Sequence, residues 1–154
     1  MKTARVPFLR LGATLAGCLL VPIHATALDL PRELAALTQN ETNWVCASTM
    51  LGLAKAAVED MPASELWERS SEHYLMTRGV IVAAASLTSS SGPITGAEQE
   101  SLAGITLDAL MTPKQAVVEY CTDISIATYA ALNAEQRELV KGQAFAAFDK
   151  LVSE

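Results

Sequence analysis

Residues 40–60 read NETNWVCASTMLGLAKAAVED. Within them Cys46, Met50, Leu53 and Ala57 recur at the 3.6-residue period of an α-helix, which sets the cysteine on the apolar face. Trp44 lies to one side of that stripe, and Asn40 stands at its head as a helix-capping residue. Downstream, Cys46 has one candidate partner, Cys121. Pairing them closes a loop of about 75 residues, which the chain-entropy model credits with roughly 4 kcal/mol of stability. Two free buried thiols are the alternative.

Upstream, Lys2, Arg5 and Arg10 precede an apolar run from Leu11 to Ile23, and Ala25-Thr26-Ala27 follows with small residues at the −3 and −1 positions. This is the pattern of a secretory signal peptide over residues 1–27, leaving 28–154 as a single helical domain that starts at Leu28. The apolar run is shorter than the roughly 20 residues that span a bilayer, so no transmembrane helix is expected in the mature chain. Leu15-Ala16-Gly17-Cys18 also has the form of a bacterial lipobox, which offers a second route with the chain anchored through a lipidated Cys18. Periplasmic or secreted location is the expectation, with the anchored lipoprotein as the alternative. Either route leaves Cys46 and Cys121, and an even count in an exported chain favours an oxidised pair.

The first 27 residues hold 3 of the 11 basic residues and none of the 17 acidic ones, so the remainder carries a formal charge of −9. Such a domain is repelled by nucleic acid and by anionic lipid. Charge alone favours a protein partner that is basic.

The remaining chain reads as helices. Asp29-Leu30-Pro31 opens a short one reaching about Leu37, with proline in the first turn where its missing donor costs nothing. Asp60-Met61-Pro62 ends the helix of Cys46 and starts another, expected to run to about Leu87. Leu66, Ser70, His73, Thr77, Ile81 and Ala84 form a line along it, with Trp67 and Tyr74 beside them. Gly79 weakens its middle by about 1 kcal/mol relative to alanine. Val80–Leu87 has the apolar continuity of a buried strand, but its alanines favour helix. Thr88–Pro93 is a loop by composition. Thr95 and Glu98 make a capping box for a helix to about Met111. Thr112-Pro113 starts the next, which carries Val117, Cys121, Ile124 and Thr128 on one face. Asn133 and Gln136 start the last, whose stripe of Val140, Ala144, Ala147 and Leu151 is broadened by Phe145 and Phe148. The expected fold is therefore all-α, an antiparallel bundle of four to six helices with one inter-helix disulfide.

Absent motifs remove mechanisms. The sequence holds no Cys-x-x-Cys, His-Glu-x-x-His, Gly-x-Ser-x-Gly, Ser-x-x-Lys or glycine-rich phosphate loop. The residues before His73 are Ser70-Ser71-Glu72, which fails the Glu-x-x-His pattern of a di-iron bundle. No catalytic residue, cofactor or metal is assigned. Glu65, Glu68 and Glu72 share a side of the expected helix and read as a solvated face, with Arg69 pairing to Glu65. Trp67, Tyr74 and His73 are the candidate binding surface, since exposed aromatics anchor interfaces, although aromatic side chains also serve as core. Asn40-Glu41-Thr42 fits a glycosylation acceptor, which matters only in a eukaryotic source, but fits a helix cap better.

An export signal, Trp44-x-Cys46 near the start of the first long helix, an all-helical body and Tyr120-Cys121-Thr122-Asp123 late in the chain form a recognisable layout. It resembles the type VI secretion amidase immunity proteins, small disulfide-bonded periplasmic helical proteins that bind and block a cell-wall-cutting toxin. The resemblance implies an exported, non-catalytic interaction protein of inhibitor or immunity type, and it carries over no toxin-contact residue. The alternative function is a small-ligand or metal carrier with a site inside the bundle near His73, which requires a concave polar pocket there.

Overall fold

A computed structural model describes residues 30–111 and 115–153. Among them the chain forms six helices and no strand: α1 Gln39–Glu59, α2 Ala63–Leu66, α3 Glu72–Ser90, α4 Gly96–Met111, α5 Gln115–Ala131 and α6 Ala134–Ser153. The proposed signal peptide, Cys18 and the helix start at Thr112-Pro113 lie outside the described residues.

Several boundaries differ from the sequence reading, each for a local hydrogen-bonding reason. α1 is capped by Thr38 rather than Asn40. The Thr38 hydroxyl accepts the Glu41 N–H at 3.3 Å while the Glu41 carboxylate accepts the Thr38 N–H at 2.7 Å, a complete capping box. Asn40 is thereby drawn into the first turn, where its side-chain oxygen accepts the Gly92 N–H and ties α1 to the segment before α4. Residues 30–37 make successive tight turns instead of a short α-helix, with Leu34 N–H donating to the Pro31 carbonyl at 2.9 Å and Leu37 N–H to the Leu34 carbonyl at 3.0 Å. So short a helix would nucleate poorly, and the turns seat Leu34 fully in the core.

The helix expected from Pro62 to Leu87 is broken. The Ser71 hydroxyl accepts the Tyr74 N–H at 3.1 Å and donates to the Glu65 carbonyl at 3.2 Å, so it caps a new helix and ends the old one. Glu65, Glu68 and Glu72 consequently fall in α2, in the turn and in the first turn of α3, and share no helix face. At its other end α3 runs three residues beyond Leu87, into the stretch expected to be loop. Thr88, Ser90 and Ser91 donate back to the carbonyls of Ala84, Ser86 and Leu87 at 2.9, 3.0 and 2.7 Å, which satisfies their hydroxyls along the helix. The capping boxes at Thr95/Glu98 and Asn133/Gln136 form where the sequence puts them.

α1 is the hub, packing against α3, α4, α5 and α6, and α3 in turn packs against α5 and α6. Cys46 and Cys121 are joined, with Cα atoms 5.1 Å apart, and the bond staples α1 to α5. Both cysteines are fully buried among Val45, Met50, Leu87, Leu102 and Val117. A second cluster, Ala54, Tyr74, Ile81, Ala144 and Phe148, fills the space between α1, α3 and α6. α4 lies close on α1: a Cβ built at Gly52 would stand 2.6 Å from Leu110 Cδ1. No helix among the described residues is long and apolar enough to cross a membrane.

Candidate functional site

α3 offers α1 the side that carries Thr77, Ile81 and Ala84, all buried. Helical spacing puts Leu75, Gly79 and Val82 on the opposite side, between two clefts that share Gly79 and Val82 and together make a trough along α3. Lys141, Ala144 and Phe145 of α6 wall one flank, and Ser125, Ile126, Tyr129 and Ala130 of α5 wall the other. Each flank is a cleft of about 260 Å³, and Gly79 and Val82 line both. The missing side chain at Gly79 makes a low saddle between them, since a Cβ built there meets no atom within 4 Å. Gly104 and Gly142 are equally open but line neither cleft.

Toward α2 the trough continues into a cleft of about 410 Å³ formed by Trp67, Tyr74, Phe145 and Phe148, with Arg69, Arg78 and Asp149 also lining it. Arg78 belongs to both compartments on the α6 side. Its Nη1 donates to the Tyr74 hydroxyl at 2.8 Å, and its guanidinium lies 3.7 Å from the centroid of Phe145 and 5.0 Å from that of Tyr74. A guanidinium held over two ring faces is both fixed in place and partly stripped of water. On the α5 side Arg137 donates to the carbonyls of Tyr129 and Ala130 at 3.3 and 2.6 Å, capping the C-terminus of α5 and steadying Tyr129. The Glu138 carboxylate, 2.6 Å from Lys141, holds that ammonium protonated above its ordinary range.

The residues singled out in the sequence separate here. Trp67 is 68% exposed and stands at the trough's end. Tyr74 is buried, its ring packed edge-on against Phe148 at 5.2 Å between centroids, so it contributes floor and a hydroxyl rather than an exposed anchor. His73 lies at the surface with Nδ1 3.1 Å from Glu65 Oε2, and it lines none of these clefts. Glu65 is thus engaged by His73 rather than by Arg69. Phe145, read as part of the core stripe of α6, is 46% exposed and faces the trough. Ile126 was missed in the sequence; its one signal there is a place opposite the Val117–Cys121–Ile124 stripe, and in the fold it is 64% exposed.

No three His, Cys, Asp or Glu side chains among the described residues gather as metal ligands. Comparison with protein-family models, with curated proteins and with solved structures gives no match.

Proposed function

We propose that this chain is an exported, non-catalytic helical binding protein that engages another protein over the outer face of α3. The observation that carries this reading is the trough itself. Leu75, Ile126 and Phe145 stay exposed around an open saddle at Gly79, and Trp67 is exposed at one end. Scattered exposed apolar residues need no explanation, but a set that converges on one concave surface is what an interface uses. The finer reading, an inhibitor of immunity type, draws support from the layout around Trp44-x-Cys46 and Tyr120-Cys121. Export draws support from the N-terminal pattern, the even cysteine count after processing, and the disulfide. The carrier reading draws no support from these clefts, since His73 lines none of them.

The test is to produce the full chain in its native host with p-benzoylphenylalanine in place of Leu75, Ile126 or, as a control on α4, Leu107. Irradiation should join a discrete protein to the first two positions and not to the third. Intact mass of the isolated chain should begin at Leu28, or at a lipid-modified Cys18 on the alternative route. A chain that keeps its first 27 residues and stays in the cytoplasm would sink the export reading. Equal labelling at all three positions, or none, would sink the trough as the binding surface.

A further inference from the structure

We infer that the occupant of the trough is an acidic amphipathic helix of a partner protein, crossing α3 over Gly79; this rests on the trough being the binding surface.

Shape is the first argument. The trough is open, and its two flanking clefts of about 260 Å³ fall below the usual volume of a small-molecule pocket, although the cleft of about 410 Å³ at the Trp67 end falls within it. It suits a rod laid across α3. Interaxial distances between packed helices run about 8–10 Å according to the side chains at the crossing, and a glycine there permits the close end of that range. Gly79 weakens α3, yet no atom of the described fold occupies the space its side chain would fill. An incoming helix would use that space, with apolar residues at i, i+3, i+4 and i+7 meeting Leu75, Val82, Ile126 and Phe145.

Charge is the second argument, and it runs against the chain's net balance. Arg69, Arg78 and Lys141, three of the seven lysines and arginines among the described residues, line the two compartments on the α6 side, while no charged residue lines the α5 flank. Of the fifteen aspartates and glutamates among the described residues, Asp149 alone lines a compartment. The molecule is acidic, but the α6 side of this face sets three cations against Asp149 and the Glu138 that pairs with Lys141, a positive excess of one. The basic partner suggested by the total charge would meet like charge here, and an acidic one would meet its complement. The same logic disfavours a second copy, because a two-fold contact through this face would set the arginines of one copy against those of the other.

The test uses the full chain carrying p-benzoylphenylalanine at Leu75 in its native host, with the cross-linked peptide sequenced. The expected product is a segment of another protein with apolar residues at helical spacing and more Asp and Glu than Lys and Arg. Adding Gly79→Leu should reduce the yield at least tenfold while thermal stability is kept or raised. Adding Arg69→Glu and Lys141→Glu together should do the same, and since both side chains are solvent-accessible, a melting curve confirms that the fold survives. A product unaffected by Gly79→Leu, or none at all, would overturn the trough as the binding surface. A product lost with Gly79→Leu but indifferent to the charge reversal would keep the surface and overturn the acidic helix. A basic segment, a lipid adduct or a second copy of this chain in the product would do likewise.

Discussion

Reducing the Cys46–Cys121 bond should remove between about 4 and 5 kcal/mol of stability. The two residues are 75 apart, and the chain-entropy relation gives about 15 cal/mol/K for a loop of that length. Unlike truncation to alanine, reduction leaves both sulfurs in place and opens no cavity around Val45, Leu87 and Val117, though two buried thiols need more room than the bonded pair, so the loop term is the main part of the loss. An unfolding entropy of about 2.1 cal/mol/K per residue over about 120 ordered residues then puts the fall in Tm at roughly 15–20 °C. The assay is urea unfolding followed by circular dichroism at 222 nm, comparing the oxidised protein with protein reduced in denaturant and refolded with reductant present. Reductant added to the native protein should act only as fast as the fold opens, because both cysteines are fully buried. A loss below about 1 kcal/mol would refute the reasoning, since it would mean that the unfolded chain already holds α1 near α5 without the bond. Rapid reduction of the native protein would refute the burial.

Other substitutions separate the two helix-interior glycines that the structure treats oppositely. Gly79→Ala should stabilise by about 1 kcal/mol, or roughly 4 °C in Tm, because it adds helix propensity and its Cβ meets nothing. Gly52→Val should destabilise by about 1–3 kcal/mol through Leu110, by the same thermal measurement. Thr77 is buried with a hydroxyl that has no partner, so Thr77→Val should be neutral or stabilising by up to about 1 kcal/mol in urea unfolding. Glu41 and Glu98 have pKa values lowered from 4.5 by the hydroxyls and then the backbone N–H groups of Thr38 and Thr95. Depressed carboxylate values mean that their stabilisation is present above about pH 4.5 and is lost as pH falls through the lowered values. The variant combining Glu41→Gln and Glu98→Gln should therefore show a shallower loss of Tm below pH 4.5 than the parent, and an unchanged acid limb would contradict the capping geometry.

What could be read in advance tracks how local the determining interaction is. The boxes at Thr95/Glu98 and Asn133/Gln136 are set by residues three apart, and they formed as read. Cys46 and Cys121 were identified because two cysteines allow one pairing. The Ser71 break was hidden because nothing at Trp67–Ser71 is a proline or a glycine, and the hydroxyl's bond to the Glu65 carbonyl exists only once the chain has turned. Thr38 was passed over for the better-ranked Asn40, although the Glu41 three residues after Thr38 completes the box. The trough is the least local feature. Trp67 was visible as an aromatic of uncertain burial, but its companions Ile126 and Phe145 come from α5 and α6 and acquire meaning only when both flank α3. The positive excess on the α6 side was masked by a net charge averaged over the whole chain.

The hub position of α1 also bears on how the polypeptide acquires its fold during synthesis. The first long helix is made before α3, α4, α5 and α6, all of which cover it. Cys121 follows Cys46 by 75 residues. Throughout most of elongation the nascent chain therefore carries the apolar side of Val45, Met50 and Ala54 uncovered, next to a thiol without its partner. Cys18 is the only cysteine that precedes Cys46, and on the proposed export route removal of residues 1–27 would withdraw the one competing thiol before Cys121 arrives. The fold is completed from its end rather than its beginning, so a truncation that removes α6 should leave a chain with a closed disulfide but an open flank of Tyr74 and Ile81, a state prone to aggregation.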